Sequence, residues 1–346
     1  MLPAEPALAA QLKVSRNTVR AAYAILEREG LIERKHGKGT MVVSKTPRGA
    51  KKGRIGLVFF SSGELMFTVP FYGRLIQRLY ALGRNVGWHV ALMTHDPRRP
   101  GYRYDWREHE YRLKEFEAMV LLGVFRPEAV ETLGGRMPVV AVDAGGRFRS
   151  ADSAVCDDLR AGLLATEHLI RLGHKRIAFL GQTEPGEDGV LDPAHAARYE
   201  GYRRAMERAK IAVTEDLLLD TQTSDRGAAH AMRGAIERGE VPSAVVAVGD
   251  SSAMAAMEAA RRAGIRVPES MSFVGMGNEQ STHGGLSLTS VELHPEQMAE
   301  QAVRLLQRRI EDPEVSNEHL VVDVELVERT SSVPPALISI IAARAG

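Results

Sequence analysis

The sequence is poor in cysteine and has no long apolar run. Cys156 is the single cysteine in 346 residues, so the chain closes no disulfide within itself and fits a reducing cytosol. No apolar stretch approaches the ~18 residues that a membrane span needs. The last candidate, 336–343, is far too short. The opening residues lack the charged-then-apolar pattern of an export signal. A cytoplasmic protein is therefore expected. Catalytic signatures are missing as well. There is no Gly-x-Ser-x-Gly elbow, and Ser251-Ser252 has no evident histidine partner. His-Glu-x-x-His and Cys-x-x-Cys are absent, so no metal, no cofactor and no enzyme are expected. Gly37-Lys38-Gly39-Thr40 has the wrong spacing for a phosphate loop. No short-period repeat or low-complexity segment interrupts the chain.

What is present is ordinary globular material, 44% hydrophobic and 26% charged. At ~100–200 residues per domain the length allows two or three units. The net charge of +1 hides an asymmetry. Residues 1–54 hold 12 Lys/Arg against 4 Asp/Glu, while the rest holds 33 against 40. A basic head on an acidic body reads either as a polyanion-binding module or as a solvated basic tail.

Residues 45–53 are rich in Lys, Arg, Gly and Pro and read as a linker. Beyond them, short apolar runs alternate with amphipathic stretches. The runs are Ile55–Phe60, Val90–Met93, Met119–Val124, Val139–Val142, Ile177–Leu180, Ala244–Val248 and Ser272–Met276. The amphipathic stretches include Tyr72–Val86, Arg160–Leu172, Ala196–Ala209, Arg226–Arg238 and Ser251–Ala263. That alternation predicts an α/β fold of parallel sheets covered on both faces. Many runs end in glycine or a small polar residue: Ser61-Ser62, Gly123, Asp143, Gly181, Gly249-Asp250, Gly277-Asn278. Ligands of open α/β sheets bind just beyond such carboxyl ends.

In the head, 5–12 predicts a short helix and Lys13-Val14 a turn. Ser15 is a natural N-cap, because its hydroxyl accepts from a free backbone N–H. The helix that follows, to about Glu29, should turn Val19, Ala22 and Leu26 inward. Arg16, Asn17 and Arg20 fall on another face near its N-terminal end, together with Ser15 and Thr18. Arginine can read guanine through two bonds and asparagine can read adenine. Leu31–Lys35 and Thr40–Val43 predict a hairpin, with Lys35, His36 and Lys38 placed to meet a groove. The segment from Leu2 to Val43 resembles the GntR-family winged helix. The resemblance rests on Leu2-Pro3, Leu8-Ala9, Val14-Ser15-Arg16, Thr18-Val19-Arg20, Leu26-Glu27, Gly30-Leu31 and Gly37-Lys38-Gly39-Thr40. It departs where Ala4 stands for a serine cap and Lys13 for a turn glycine. The family also carries a further N-terminal helix, so a head without its first helix is expected.

Residues 54–332 resemble the effector domain of the LacI/GalR repressors, itself similar to periplasmic sugar-binding proteins. The residues that carry this are Arg54-Ile55-Gly56-Leu57-Val58, Pro70-Phe71-Tyr72, Gly87-Trp88-His89-Val90, Pro138-Val139-Val140 with Asp143, and Asp157-Asp158. They continue through Ala165-Thr166-Glu167-His168-Leu169, Leu172-Gly173-His174-Lys175-Arg176-Ile177-Ala178, Arg198-Tyr199-Glu200-Gly201-Tyr202 and Arg266-Val267-Pro268-Glu269-Ser270-Met271-Ser272-Phe273-Val274-Gly275. The resemblance implies two parallel-sheet, Rossmann-like lobes with a small-molecule cleft between them, and a homodimer.

The boundaries expected are therefore a head at 1–44, a linker at 45–53, the effector domain at 54–332 and a tail at 333–346. The effector candidates are Ser61, Ser62, Phe71, Tyr72, Asp143, Asp158, Arg198, Asp250 and Asn278. Phe71 and Tyr72 could stack on a sugar or base, or simply pack. Arg198 offers a planar fork to ligand oxygens or to a salt bridge. Asp250 reads as an N-cap, a ligand contact or both. His168 and His174 read as structural. Where relatives commonly carry an Asp after Val-Gly-Phe, this chain has Gly277-Asn278, which removes a charged acceptor. The expected function is a DNA-binding transcription regulator, a repressor, whose operator binding follows a sugar or related metabolite. The alternative is a solute-binding module with a vestigial head.

Overall fold

The computed structural model describes residues 3–12, 14–28, 32–35, 39–42, 53–59, 69–94, 113–123, 127–185, 191–221, 224–279, 282–283 and 285–335. The chain divides into two compact units, Met1–Lys52 and Gly53–Gly346. Most of the expected linker, the hairpin tip 36–38 and the tail beyond 335 lie outside the described residues.

The first unit holds helices α1 (Glu5–Leu12) and α2 (Arg16–Arg28) and an antiparallel hairpin of β1 (Ile32–Lys35) with β2 (Gly39–Val42). Ser15 caps α2 as expected, its hydroxyl accepting from the Thr18 backbone N–H at 3.1 Å. The small core is Ala9, Val19, Tyr23 and Ile32, with Leu8 against it. One expectation is corrected here. Ala22 is exposed, and Tyr23 one position later turns inward. Its ring fills the core while its hydroxyl donates to the Pro3 carbonyl at 2.8 Å.

The second unit contains two six-stranded sheets. The first is built from β3 (Arg54–Phe59), β4 (His89–Thr94), β5 (Ala118–Leu122), β6 (Val139–Val142), β7 (Asp152–Cys156) and a late strand, β15 (His319–Val322). All its pairings are parallel, in the spatial order β4-β3-β5-β6-β7-β15. Helices α3 (Pro70–Asn85) and α4 (Pro127–Gly134) belong to this lobe. Pro70 starts α3 with its φ already set for a helix, and Phe71, Leu75, Ile76 and Leu79 form its buried face.

The chain then crosses to the second lobe through α5 (Asp158–Arg171), which packs on that lobe's strands. The second sheet comprises β8 (Ile177–Leu180), β9 (Leu218–Leu219), β10 (Ala244–Ala247), β11 (Ser272–Met276), β14 (Thr289–Glu292) and β16 (Glu325–Val327). A small hairpin, β12 (Thr282–His283) with β13 (Leu286–Ser287), stands apart from it. The sheet order is β9-β8-β10-β11-β14-β16. The sheet is parallel as expected except at one edge, where β16 runs antiparallel to β14. The strand reaches that edge directly from the other lobe rather than through a helical crossover, so nothing forces it parallel. Helices α6 (Pro193–Arg208), α7 (Asp225–Glu237) and α8 (Asp250–Arg262) cover this sheet, while α9 (Pro295–Glu311) returns to pack on α3 and the first sheet. Three crossings thus join the lobes: β7 to α5, β14 to α9, and β15 to β16.

Both sheets repeat one winding, in which the second strand lies outside the first and the third returns to its other side. The order reverses between β3 and β5 in one lobe and between β8 and β10 in the other. Such switch points open a crevice at the carboxyl ends of the strands.

Candidate functional site

That crevice is a cleft of about 1200 Å³ within the second unit. Phe59, Gly123, Asp143 and Cys156 reach it from the ends of first-lobe strands, and Thr221, Asp250 and Glu279 from those of the second lobe. Phe71 and Tyr72 come from the first turn of α3, and Asp158 and Arg198 from α5 and α6.

The aromatic candidates pack against one another in the cleft wall. Phe71 is buried in the core, and its ring meets Tyr72 edge-on at 5.2 Å. Tyr72 lies 4.7 Å from Phe59 and donates its hydroxyl to Asp143 Oδ2 at 2.7 Å. Burial, then the neighbouring Asp158, pushes the Asp143 carboxyl up to about 7. Its backbone adopts φ 51°, a conformation Asp tolerates better than most residues, and this turns the chain at the strand end.

Asp158 and Arg198 form the polar centre. Arg198 Nε donates to Asp158 Oδ1 at 2.8 Å, Nη2 lies 2.7 Å from the same oxygen, and Nη1 donates to the Val248 carbonyl. Burial works to lower the Arg198 pKa, but Asp158 outweighs it and holds the guanidinium firmly charged. Asp157, not Asp158, caps α5, accepting from Arg160 N at 2.9 Å.

Two expectations are corrected. Asp250 does not cap α8, because Gly249 holds the cap position without a side-chain bond. The Asp250 carboxylate instead braces two loops, accepting from Ser290 Oγ at 2.6 Å and from Glu279 N at 2.8 Å. Asn278 does not line the cleft. Its amide donates to Glu292 at 2.7 Å and its carbonyl oxygen accepts from Arg329, so the left-handed turn at φ 52° directs the half-buried side chain into a bracing network. Glu279, one residue on, takes the vacated place in the lining. An acidic side chain thus stands in the lining just beyond Gly277-Asn278. Burial, then Asp250, pushes the Glu279 carboxyl up to about 7.

Sequence reasoning missed Glu279, Asp192, His195, Thr221 and Asp225. Asp192 caps α6 through Ala194 N at 2.8 Å, and Asp-Pro before an amphipathic stretch was the available signal. Burial holds His195 below its ordinary pKa, hence neutral. Thr221 is buried, and its hydroxyl has no hydrogen-bond partner among the described residues. His168 and His174 are structural, bonded to Ser332 at 2.8 Å and to the Val333 carbonyl at 2.9 Å. Ser61 and Ser62 lie outside the described residues.

In the first unit, Ser15, Arg16, Asn17, Thr18 and Arg20 are all exposed at the start of α2. Arg20 Nε donates to Glu5 at 3.2 Å, a bond between α1 and α2. His36 and Lys38 lie outside the described residues, as does the Lys35 side chain.

Together the fold and the cleft define a class: a two-lobed, periplasmic-binding-protein-like effector domain behind a winged helix-turn-helix head. Residues 1–42 match the model for bacterial regulatory proteins of the gntR family, and residues 166–332 that for a periplasmic binding protein-like domain. The chain is thus similar to gntR-family regulators at its N-terminal end and to periplasmic binding protein-like domains over its C-terminal half. It is 26% identical over 350 residues to the arabinose metabolism transcriptional repressor of Geobacillus stearothermophilus, covering 96% of this chain and 91% of that protein. It is 32% identical over 197 residues to the HTH-type transcriptional repressor PurR of Vibrio atlanticus, covering 56% of this chain and only 57% of that protein. Among solved structures, a LacI transcriptional regulator from a Rhodococcus species superposes with a TM-score of 0.67 at 26% identity, covering 81% of this chain and 99% of that one. The complex of the transcriptional regulator CelR with cellobiose shares the fold with a TM-score of 0.71 at 24% identity, covering 95% and 100%. No described helix is long and apolar enough to cross a membrane.

Proposed function

We propose that the chain is a DNA-binding transcription regulator, acting as a repressor, whose operator binding is set by a small hydroxyl-bearing effector held in the cleft. The observation that carries the reading is one chain that pairs a GntR-type head with a ligand-sized cleft at two topological switch points. Arg16 and Asn17 at the capped start of α2 read base edges, Ser15, Thr18 and Arg20 contact phosphates, and Lys35, His36 and Lys38 follow from the wing. Tyr72, Asp143, Asp158, Arg198 and Glu279 hold the effector. The reading places the protein in the bacterial cytoplasm as a homodimer, with no catalytic step. The effector shifts the regulator only by its differential affinity for the DNA-competent and DNA-incompetent states.

The similarity of the whole chain to a named arabinose repressor supports this reading over a bare solute-binding module. A gel-shift titration of the full chain on its own promoter region tests it. Affinity should fall steeply with salt, because lysines and arginines on phosphates release counterions. Arg16→Ala should cost about 1–3 kcal/mol at the specific site. A head that binds no DNA at low salt would leave the solute-binding module as the function.

A further inference from the structure

The cleft holds more negative charge than its own cations answer. Seven carboxylates and two guanidinium groups stand among the described residues that line it. Arg198 is spent on Asp158 and the Val248 carbonyl. Arg226 is exposed in the first turn of α7. Asp250 is satisfied by Ser290 and the Glu279 N–H, and Asp192 by the start of α6.

Among the described residues, Asp143 and Glu279 are left without a cation of their own. Tyr72, Asp158, Asp192 and Arg198 face Asp143, and of these only the Tyr72 hydroxyl donates to it. Asp250, Asp225, Arg74 and the Phe71 backbone N–H face Glu279. Arg74 is itself bonded to Glu296, Glu292 and the Gly277 carbonyl. An ionised carboxylate away from water is costly unless it is paired. The same cleft is lined by the Thr221 hydroxyl, which has no partner among the described residues, and by the Phe59–Tyr72 aromatic pair, whose ring faces also attract cations.

Resting on the reading of the cleft as an effector site, we infer that the effector carries a positive charge as well as hydroxyls. Its class is that of an amino sugar or aminopolyol, with the ammonium facing Asp143 and a hydroxyl on Thr221. A phosphorylated or carboxylated sugar would meet charges of its own sign there. The carboxyls at about 7 agree with this. A cation binds the deprotonated form, so its affinity should rise as pH climbs through that value.

The test is a thermal-shift and calorimetric comparison, on the full chain, of three triplets that share a skeleton and differ in charge. They are N-methylglucamine, sorbitol and gluconate; glucosamine, glucose and glucuronate; galactosamine, galactose and galacturonate. In whichever triplet binds, the cationic member should bind best, by about tenfold or more, as expected for one unit charge near a partly buried carboxylate. Asp143→Asn should remove that advantage by lowering the cationic member's affinity at least about tenfold more than the neutral member's. Glu279→Gln is the second variant, should the first fail to fold. A neutral or acidic member binding as well as its cationic counterpart overturns the inference and leaves the effector reading standing. Binding of none of the nine overturns both.

Discussion

The guanidinium of Arg198 spans the carboxylate of Asp158 and the carbonyl of Val248, so one side chain ties α5, α6 and the end of β10 together. Arg198→Ala would strand Asp158 without its cation in the cleft wall. Loss of one partner of a buried pair costs about 3–5 kcal/mol, which urea denaturation would read. Adding Asp158→Asn should recover part of that loss if the pair is the cause. Asp143 and Glu279 make a different prediction. Each has its pKa raised from the ordinary 3.8 or 4.5 to about 7 on folding. The native state therefore binds protons more tightly than the unfolded one between those values. The associated stability is present in full below about 4, falls as pH rises to about 7, and is flat beyond. Urea midpoints of the unliganded protein at pH 5.5 and 8 should show the decline, and the Asp143→Asn, Glu279→Gln double variant should largely flatten it. No change in slope would mean that both carboxyls are already solvated.

At the level of elements, the meeting of Asp158 with Arg198 depends on two glycines. A Cβ on Gly162 of α5 would collide with the Arg198 carbonyl, and one on Gly201 of α6 with the Leu159 carbonyl. The helices therefore touch backbone to backbone, and no side chain keeps them apart. Gly162→Ala should separate them at a cost of about 1–3 kcal/mol and weaken effector binding by displacing Arg198. Unchanged melting and unchanged binding would show that the contact carries no weight.

Seven apolar runs in the sequence became strands, because β-branched residues in short runs leave few alternatives. The strand β14 was not legible in the same way. Thr289, Ser290, Val291 and Glu292 are all buried, yet three of the four are polar. Ser290 and Glu292 are satisfied by Asp250 and Arg74, which lie far off in the chain, and Thr289 by Ser332 and Arg329. Hydropathy cannot see a polar residue whose partner arrives from elsewhere. The Ala22 expectation failed for a related reason. A four-residue head core takes the larger ring of Tyr23 over a methyl group one position away.

Across the whole second unit, the two lobes meet at Arg74. This residue of α3 in the first lobe donates to the Gly277 carbonyl and to Glu292 in the second, and to Glu296 at the start of α9. Arg74→Ala should loosen that junction. Small-angle scattering would show a larger radius of gyration for the unliganded variant, and effector affinity would fall because closure loses a bridge. A variant with unchanged scattering and affinity would reduce Arg74 to a surface ion pair worth little.

By itself the sequence determined the alternation of strands and helices, the capped helix in the head, and the regions that resemble two known families. Each of these depends on neighbours within a few residues or on motif order. Only the tertiary structure decided which acids face the cleft. Residues 143, 158, 198, 221 and 279 come from five separate segments, and a single left-handed turn at Asn278 exchanged one side chain for the next. Those choices are made by long-range packing and by hydrogen bonds across the sheets, which no local pattern of residues encodes.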